Sequence, residues 1–281
     1  MAENQTPSGT RVLVALDSAT MSARALETAA RLAALLGAQL EGLFVEDADL
    51  VRLGGLPFAR EIDAVTGVWR ALAADEVERS LRLEGARLER LMAQAAERAR
   101  VPWSFATARG RLLVEAVARD AELTLLGTVS RSASATRRSA IMEGARTLHG
   151  SLAVLFDATP GSLHALELAG QLAAASKNEL RVLVRQSGQS ELDAPALNRV
   201  RSWLTATRAS GQALPLRAGE GALAEALRST RSELLIWAAP DLAGSLQVLA
   251  TMASGLSCPL LVVRRTSAAP PKRRLRRSPE G

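Results

Sequence analysis

Asp17 and Asp157 are the first residues to read for chemistry. Each directly follows a short apolar run, RVLVAL at 11–16 and SLAVLF at 151–156, and each precedes a stretch of helical periodicity. A carboxylate in that position either caps the N–H groups at a helix start or hydrogen-bonds a nucleotide, and its presence in both places does not separate the two roles. A second group of polar side chains follows ELTLLG. Beyond Gly127, the loop TVSRSASATRRSA carries six hydroxyl side chains, among them Thr128, Ser130 and Ser139, together with Arg131, Arg137 and Arg138. That composition suits an anion held by side chains, or a solvated surface loop. The two histidines, His149 and His164, lack metal-ligand spacing, and no metal site is expected. Cys258 precedes Pro259 at the entry to an apolar run and reads as a structural thiol. A nucleophile elbow, a Walker loop and paired acid/base motifs are absent, so nothing points to covalent catalysis.

The elements that position these residues come from an internal repeat. Residues 11–45 lie over the segment from 151 at a constant offset of 140, with Asp17 on Asp157, Ala25-Leu26-Glu27 on Ala165-Leu166-Glu167 and Leu40 on Leu180. Further on, Glu115-Ala116 matches Glu225-Ala226 at an offset of 110, so the second copy is about thirty residues shorter. The difference is mostly segment 46–73, which holds Leu53, Leu56, Phe58, Ile62, Val65 and Trp69, enough apolar surface for a lid or a docking element. In the first copy RVLVAL, AQLEGLFV, WSFATA and ELTLLG read as strands, and 20–36, 74–100 and 111–119 as helices. The second copy shows five strands, near 151–156, 179–184, 212–217, 233–237 and 259–264. Strands alternating with crossover helices imply an α/β fold of two tandem, doubly wound parallel-sheet domains. The first copy has no fifth strand of its own, and a helix near 139–149 would lead into the second. The edge beside ELTLLG therefore awaits cover by the other copy or by a partner.

Ligands of open parallel sheets bind beyond the carboxyl ends of the strands, where the winding direction reverses. That rule selects the loops after Leu16 and after Leu126. The segments VLVALDSATMSARALETAARLAALLGAQLEGLFV, ELTLLGTVSRS and SCPLLVVRR resemble the opening, fourth-strand and closing segments of universal stress protein domains, over nearly all of both copies. The resemblance implies five-stranded α/β domains, dimerisation through the closing strand, and in one subgroup ATP bound at a loop of pattern G-x2-G-x9-G-[ST]. It also implies nucleoside contacts at Asp17 and Val45. Starting from Gly127, that loop would need glycine at Ser130 and Ala140 and a hydroxyl at Ile141, so one of its four positions is kept. Without glycine, fewer backbone N–H groups can converge on phosphate oxygens. In the second copy the loop begins at Ala238 and runs into Pro240 and Asp241, which remove a donor and repel phosphate.

Apolar residues make up 48% and charged residues 23%, the balance of a globular chain rather than a disordered one. The net charge of +6 concentrates in TSAAPPKRRLRRSPEG, whose five basic residues face Glu280 alone, leaving 30 basic against 28 acidic residues elsewhere. The opening MAENQTPSGT has no signal-peptide core, and no apolar run reaches the ~20 residues of a membrane helix, so a cytoplasmic location without a membrane partner is expected. The expected organisation is a flexible N-terminus at 1–10, one domain at 11–150 with its insertion 46–73, a degenerate second domain at 151–265, and a disordered basic tail at 266–281. The expected function is that of a non-enzymatic stress-response protein acting through a ligand or an unknown protein partner, as a homodimer or an internal pseudo-dimer. The alternatives are an ATP or adenine-nucleotide binder using the first domain only, and a nucleic-acid-associated protein working nonspecifically through its tail.

Overall fold

The computed structural model describes residues 10–17, 23–62, 66–119, 121–127, 150–188, 190–219, 221–239, 241 and 244–264, and the structural statements below concern these residues. Nine strands form one sheet in the order β5-β2-β1-β6-β11-β10-β7-β8-β9. They are β1 (Arg11–Leu16), β2 (Gln39–Asp47), β5 (Trp103–Gly110), β6 (Leu123–Leu126), β7 (Ser151–Phe156), β8 (Leu180–Arg185), β9 (Gly211–Leu216), β10 (Ser232–Ala238) and β11 (Leu260–Val263). Each sequence-derived strand is present, within two residues at either end. The order β5-β2-β1-β6 on one side mirrors β9-β8-β7-β10 on the other, and every pairing is parallel except one.

That exception is the seam. β11 runs parallel to β10 and antiparallel to β6, with Leu260 opposite Leu126 and Val263 opposite Leu123. The uncovered edge of ELTLLG is thus closed by the last strand of the second copy, and one strand serves both halves. Arg264 extends the seam: its backbone N–H donates to Glu122 O at 2.9 Å, and its guanidinium donates to Arg119 O at 2.7 Å. The second contact places a cation at the C-terminal end of α4 (Leu112–Ala118), where helix carbonyls favour positive charge.

Helices cover both faces, as crossover connections require. One face packs α1 (Ala23–Leu36), α3 (Ala74–Ala99), α5 (Pro160–Ser176) and α6 (Ser190–Thr207) against Val12, Val14, Phe44, Val154, Phe156 and Val182. The other packs α4, α7 (Ala222–Ser229) and α8 (Leu246–Gly255) against Leu13, Ala15, Leu155, Leu235 and Val262. α3 shows why its sequence folds this way: Val77, Leu81, Gly85, Leu88, Met92 and Ala96 are buried at spacings of three and four, with Asp75 and Glu76 in the first turn. Gly42 in β2 admits this helix, since a Cβ there would lie 2.2 Å from Met92 Sδ. Cys258 is buried in the second face and forms no disulfide. Among the described residues no helix is long and apolar enough to cross a membrane.

The insertion forms its own small structure. β2 continues to Asp47, two residues past the expected strand, and leads into α2 (Ala48–Gly54), followed by an antiparallel hairpin of β3 (Arg60–Ile62) and β4 (Trp69–Ala71) outside the main sheet.

Candidate functional site

The carboxyl ends of β1 and β2 border a cavity of about 260 Å³ lined by Asp17, Val45, Asp47, Asp49, Gly110, Arg111 and Leu112. Asp17 and Val45, singled out from the sequence, are brought together here across parallel strands that pair Leu16 with Phe44. Gly127 sits buried just past β6, on the other side of β1. Thr128, Ser130, Arg137, Arg138 and Ser139 lie outside the described residues, as do Arg131, His149, the 139–149 segment and the basic tail.

Asp47, Asp49 and Arg111 were not singled out from the sequence. Asp47 serves as N-cap of α2, its Oδ1 accepting from the Asp49 N–H at 2.8 Å. Asp49 stands 3.7 Å from Arg111 Nε and 3.5 Å from Arg52. Arg111 enters from the loop after β5, because β5 pairs with β2 from Leu40–Trp103 through Asp47–Gly110 and so ends at the cavity. The same pairing sets Arg109 beside Glu46 at 3.1 Å and Glu78 of α3 at 3.3 Å, tying strand, strand and helix together. From α3, half-buried Glu84 comes near enough to Asp17 to feel its charge. Burial raises the Glu84 carboxyl above its ordinary range and Asp17 raises it further, while Arg87 opposes both. Among the described residues, three carboxylates line the cavity against one guanidinium, with a fourth carboxylate near Asp17. Among the described residues no group of carboxylates, histidines or cysteines has the arrangement of a metal site.

The equivalent place in the second half is built differently. Asp157 Oδ1 accepts from the Thr159 N–H at 3.1 Å and the Thr159 hydroxyl at 2.6 Å, while Thr159 caps α5 by accepting from the Ser162 N–H at 3.2 Å. Partial desolvation alone would push the Asp157 carboxyl up; the hydrogen bonds from Thr159 and Ser162, with Arg185 nearby, hold it below the usual range. Arg185 stands at the end of β8 where the first half has Val45. A larger groove of about 740 Å³ lies at the opposite ends of β8 and β9, between α5 and α6, and contains Gly170, Lys177, Trp203 and Arg208.

No protein-family model matches the sequence, and no curated protein gives a significant match. Among solved structures, a universal stress protein from Archaeoglobus fulgidus DSM 4304 is similar at 12% identity, with 91% of this chain and 97% of that chain covered and a TM-score of 0.53. A universal stress protein in complex with cAMP is 21% identical over 42% of this chain and 99% of its own, with a TM-score of 0.34. A universal stress protein family protein from Arabidopsis thaliana with AMP bound is 12% identical over 43% of this chain and 97% of its own, at a TM-score of 0.33. The first likeness spans both halves and shows that the chain has the universal stress protein fold.

Proposed function

We propose that this chain is a non-catalytic ligand-binding protein of the universal stress type, acting in a stress response through the cavity of its first half. On this reading residues 11–150 form the ligand-binding unit and 151–265 a unit whose equivalent site is closed by its own side chains. The ligand class is nucleoside-like, uncharged or weakly charged, in preference to a triphosphate. The observation that carries this is the carboxylate lining of the cavity. At an effective dielectric constant of about 20, a carboxylate ~6 Å from a phosphate charge opposes it by roughly 3 kcal/mol before screening. That is comparable to the ~1.5–3 kcal/mol that a hydrogen bond to a charged group returns. Arg111 stands beside Asp49, so its charge is already partly compensated. The hydroxyls and exocyclic amine of a nucleoside, by contrast, donate to Asp17 and the neighbouring carboxylates without that repulsion. The cavity volume of about 260 Å³ is also below the ~300–1,000 Å³ of pockets for drug-sized ligands.

Calorimetric titration with adenosine, AMP and magnesium-ATP tests the reading. Adenosine is expected to bind more tightly than ATP, with affinity lost at least tenfold in Asp17→Ala and retained in Asp157→Ala. Tight ATP binding that depends on Arg137 and Arg138 would replace this reading with the nucleotide-binding one, in which the loop of Thr128, Ser130 and Ser139 takes the phosphates.

A further inference from the structure

Eleven large hydrophobic side chains are exposed among the described residues, and six of them fall between Leu53 and Trp69. They belong to the insertion. Gly54 is buried where α2 meets α3, with a Cβ there only 3.0 Å from Ala74 Cα, so the base of the insertion is anchored to the domain. The hairpin beyond it has two unlike faces. Ile62 lies opposite Trp69 and Arg60 opposite Ala71 on one face; on the other, Glu61 forms an ion pair with Arg70. The apolar face is uncovered, with Ile62 52%, Trp69 62% and the preceding Phe58 76% exposed. A two-stranded hairpin of this kind is marginal in water unless further strands or packing complete it.

We infer that this hairpin face, backed by Leu53, Leu56 and Phe58, is the contact between two copies of the chain. The exposed area of the six side chains is roughly 600 Å², given 150–250 Å² for a whole aromatic side chain, against the ~800 Å² per partner of a standard interface. The outer edges of β3 and β4 pair with no other strand, and an antiparallel strand with an open edge can pair with its own copy across a two-fold axis. In the main sheet β11 occupies the inner edges of both β6 and β10, and the outer strand β9 carries Pro215, which withholds a backbone donor; the other outer strand, β5, has an open edge but only one exposed large apolar side chain, Trp103. The hairpin charges are of both signs, Arg60 and Arg70 with Glu61, so no strong single-sign field selects nucleic acid or an anionic membrane.

Sedimentation velocity of the full chain at about 50 µM is expected to give a dimer. Ile62→Asp and Trp69→Asp are expected to give monomers with unchanged circular dichroism, while Leu83→Asp, exposed on α3, remains dimeric. Should the aspartate variants unfold, the milder Ile62→Thr keeps a β-branched strand residue and is expected to weaken the dimer at least tenfold. A wild-type monomer at that concentration overturns the inference, as does a dimer that survives both Ile62→Thr and a folded Trp69→Asp. A monomer that co-sediments with phosphatidylglycerol vesicles would overturn it too, assigning the face to a membrane surface.

Discussion

The two aspartates that end β1 and β7 occupy the same place in mirrored halves, and the described side chains around them differ. Asp157 is bound into the start of α5 through Thr159 and Ser162, and Arg185 supplies a positive charge nearby. Asp17 borders a cavity with Val45 and further carboxylates. The difference teaches that the side chains brought in by the neighbouring strand decide whether the end of the first strand borders open space. Val45 leaves an apolar wall where Arg185 brings a cation. Extension of β2 to Asp47 adds a rim in the first half, while in the second β8 ends at Arg185 and α6 begins five residues later.

The strand that joins the halves provides the severest test of the comparison. Val262 is fully buried, and β11 closes one edge of each half. Val262→Asp is expected to destabilise the protein by about 4–5 kcal/mol, since a carboxylate there is buried without a partner. Urea unfolding should show both halves lost in one weakened transition. Survival of the second half alone, with its own unchanged midpoint, would mean that β11 is not a shared element.

Thr159→Ala strikes the second half only. It removes the cap bond that the Thr159 hydroxyl accepts from the Ser162 N–H and the bond that hydroxyl donates to Asp157 Oδ1, while the Thr159 N–H still donates to Asp157, at an expected cost of ~1–2 kcal/mol. Adenosine binding in the first half should be unchanged, which calorimetry on the same sample can check. A smaller effect is expected at Gly170, whose counterpart at the 140-residue offset is Ala30. A Cβ at Gly170 would lie 2.6 Å from the Trp203 ring, so Gly170→Ala must displace the indole. Helix propensity returns ~1 kcal/mol against an overpacking cost of ~1–3, for a net loss near 1 kcal/mol. A shift in tryptophan emission would report the displaced ring, and an unchanged spectrum would show that the groove between α5 and α6 absorbs the methyl.

Much of this contrast was legible in the chain itself. The 140-residue offset placed Asp157 on Asp17, and apolar periodicity located all nine strands of the main sheet, because alternating strands and crossover helices leave a strong pattern. The missing fifth strand was legible as an absence; that β11 fills it was not, since pairing between residues 123–126 and 260–263 depends on how the halves meet. Asp47 and Asp49 read as the start of an insertion because their role depends on Gly110-Arg111 arriving alongside, some sixty residues later. Glu84 is one charged residue on a long amphipathic helix, and only packing brings it toward Asp17. Strands of three residues, such as Arg60–Ile62, are too short for periodicity to reveal.

The mildest test sets the halves against each other by pH. Asp157 has a depressed folded pKa, so the stability it contributes is present above the unfolded carboxylate value near 4 and is lost as pH falls through the folded value. Glu84 has a raised folded pKa, which reverses the sign: its contribution favours the folded state below the unfolded value and is lost as pH rises through the folded one. Acidification therefore relieves the first half while loosening the second. Unfolding free energies measured from about pH 3 to 7 should show the advantage of wild type over Asp157→Asn shrinking below about pH 4. Over the same range, Glu84→Gln should gain on wild type as pH rises through the carboxylate region, and the gain should diminish when Asp17→Asn removes the neighbouring charge. Parallel slopes for the two variants would show that Asp157 and Glu84 titrate in the same sense, contrary to the hydrogen bonds that Thr159 gives Asp157 and the burial of Glu84 beside Asp17.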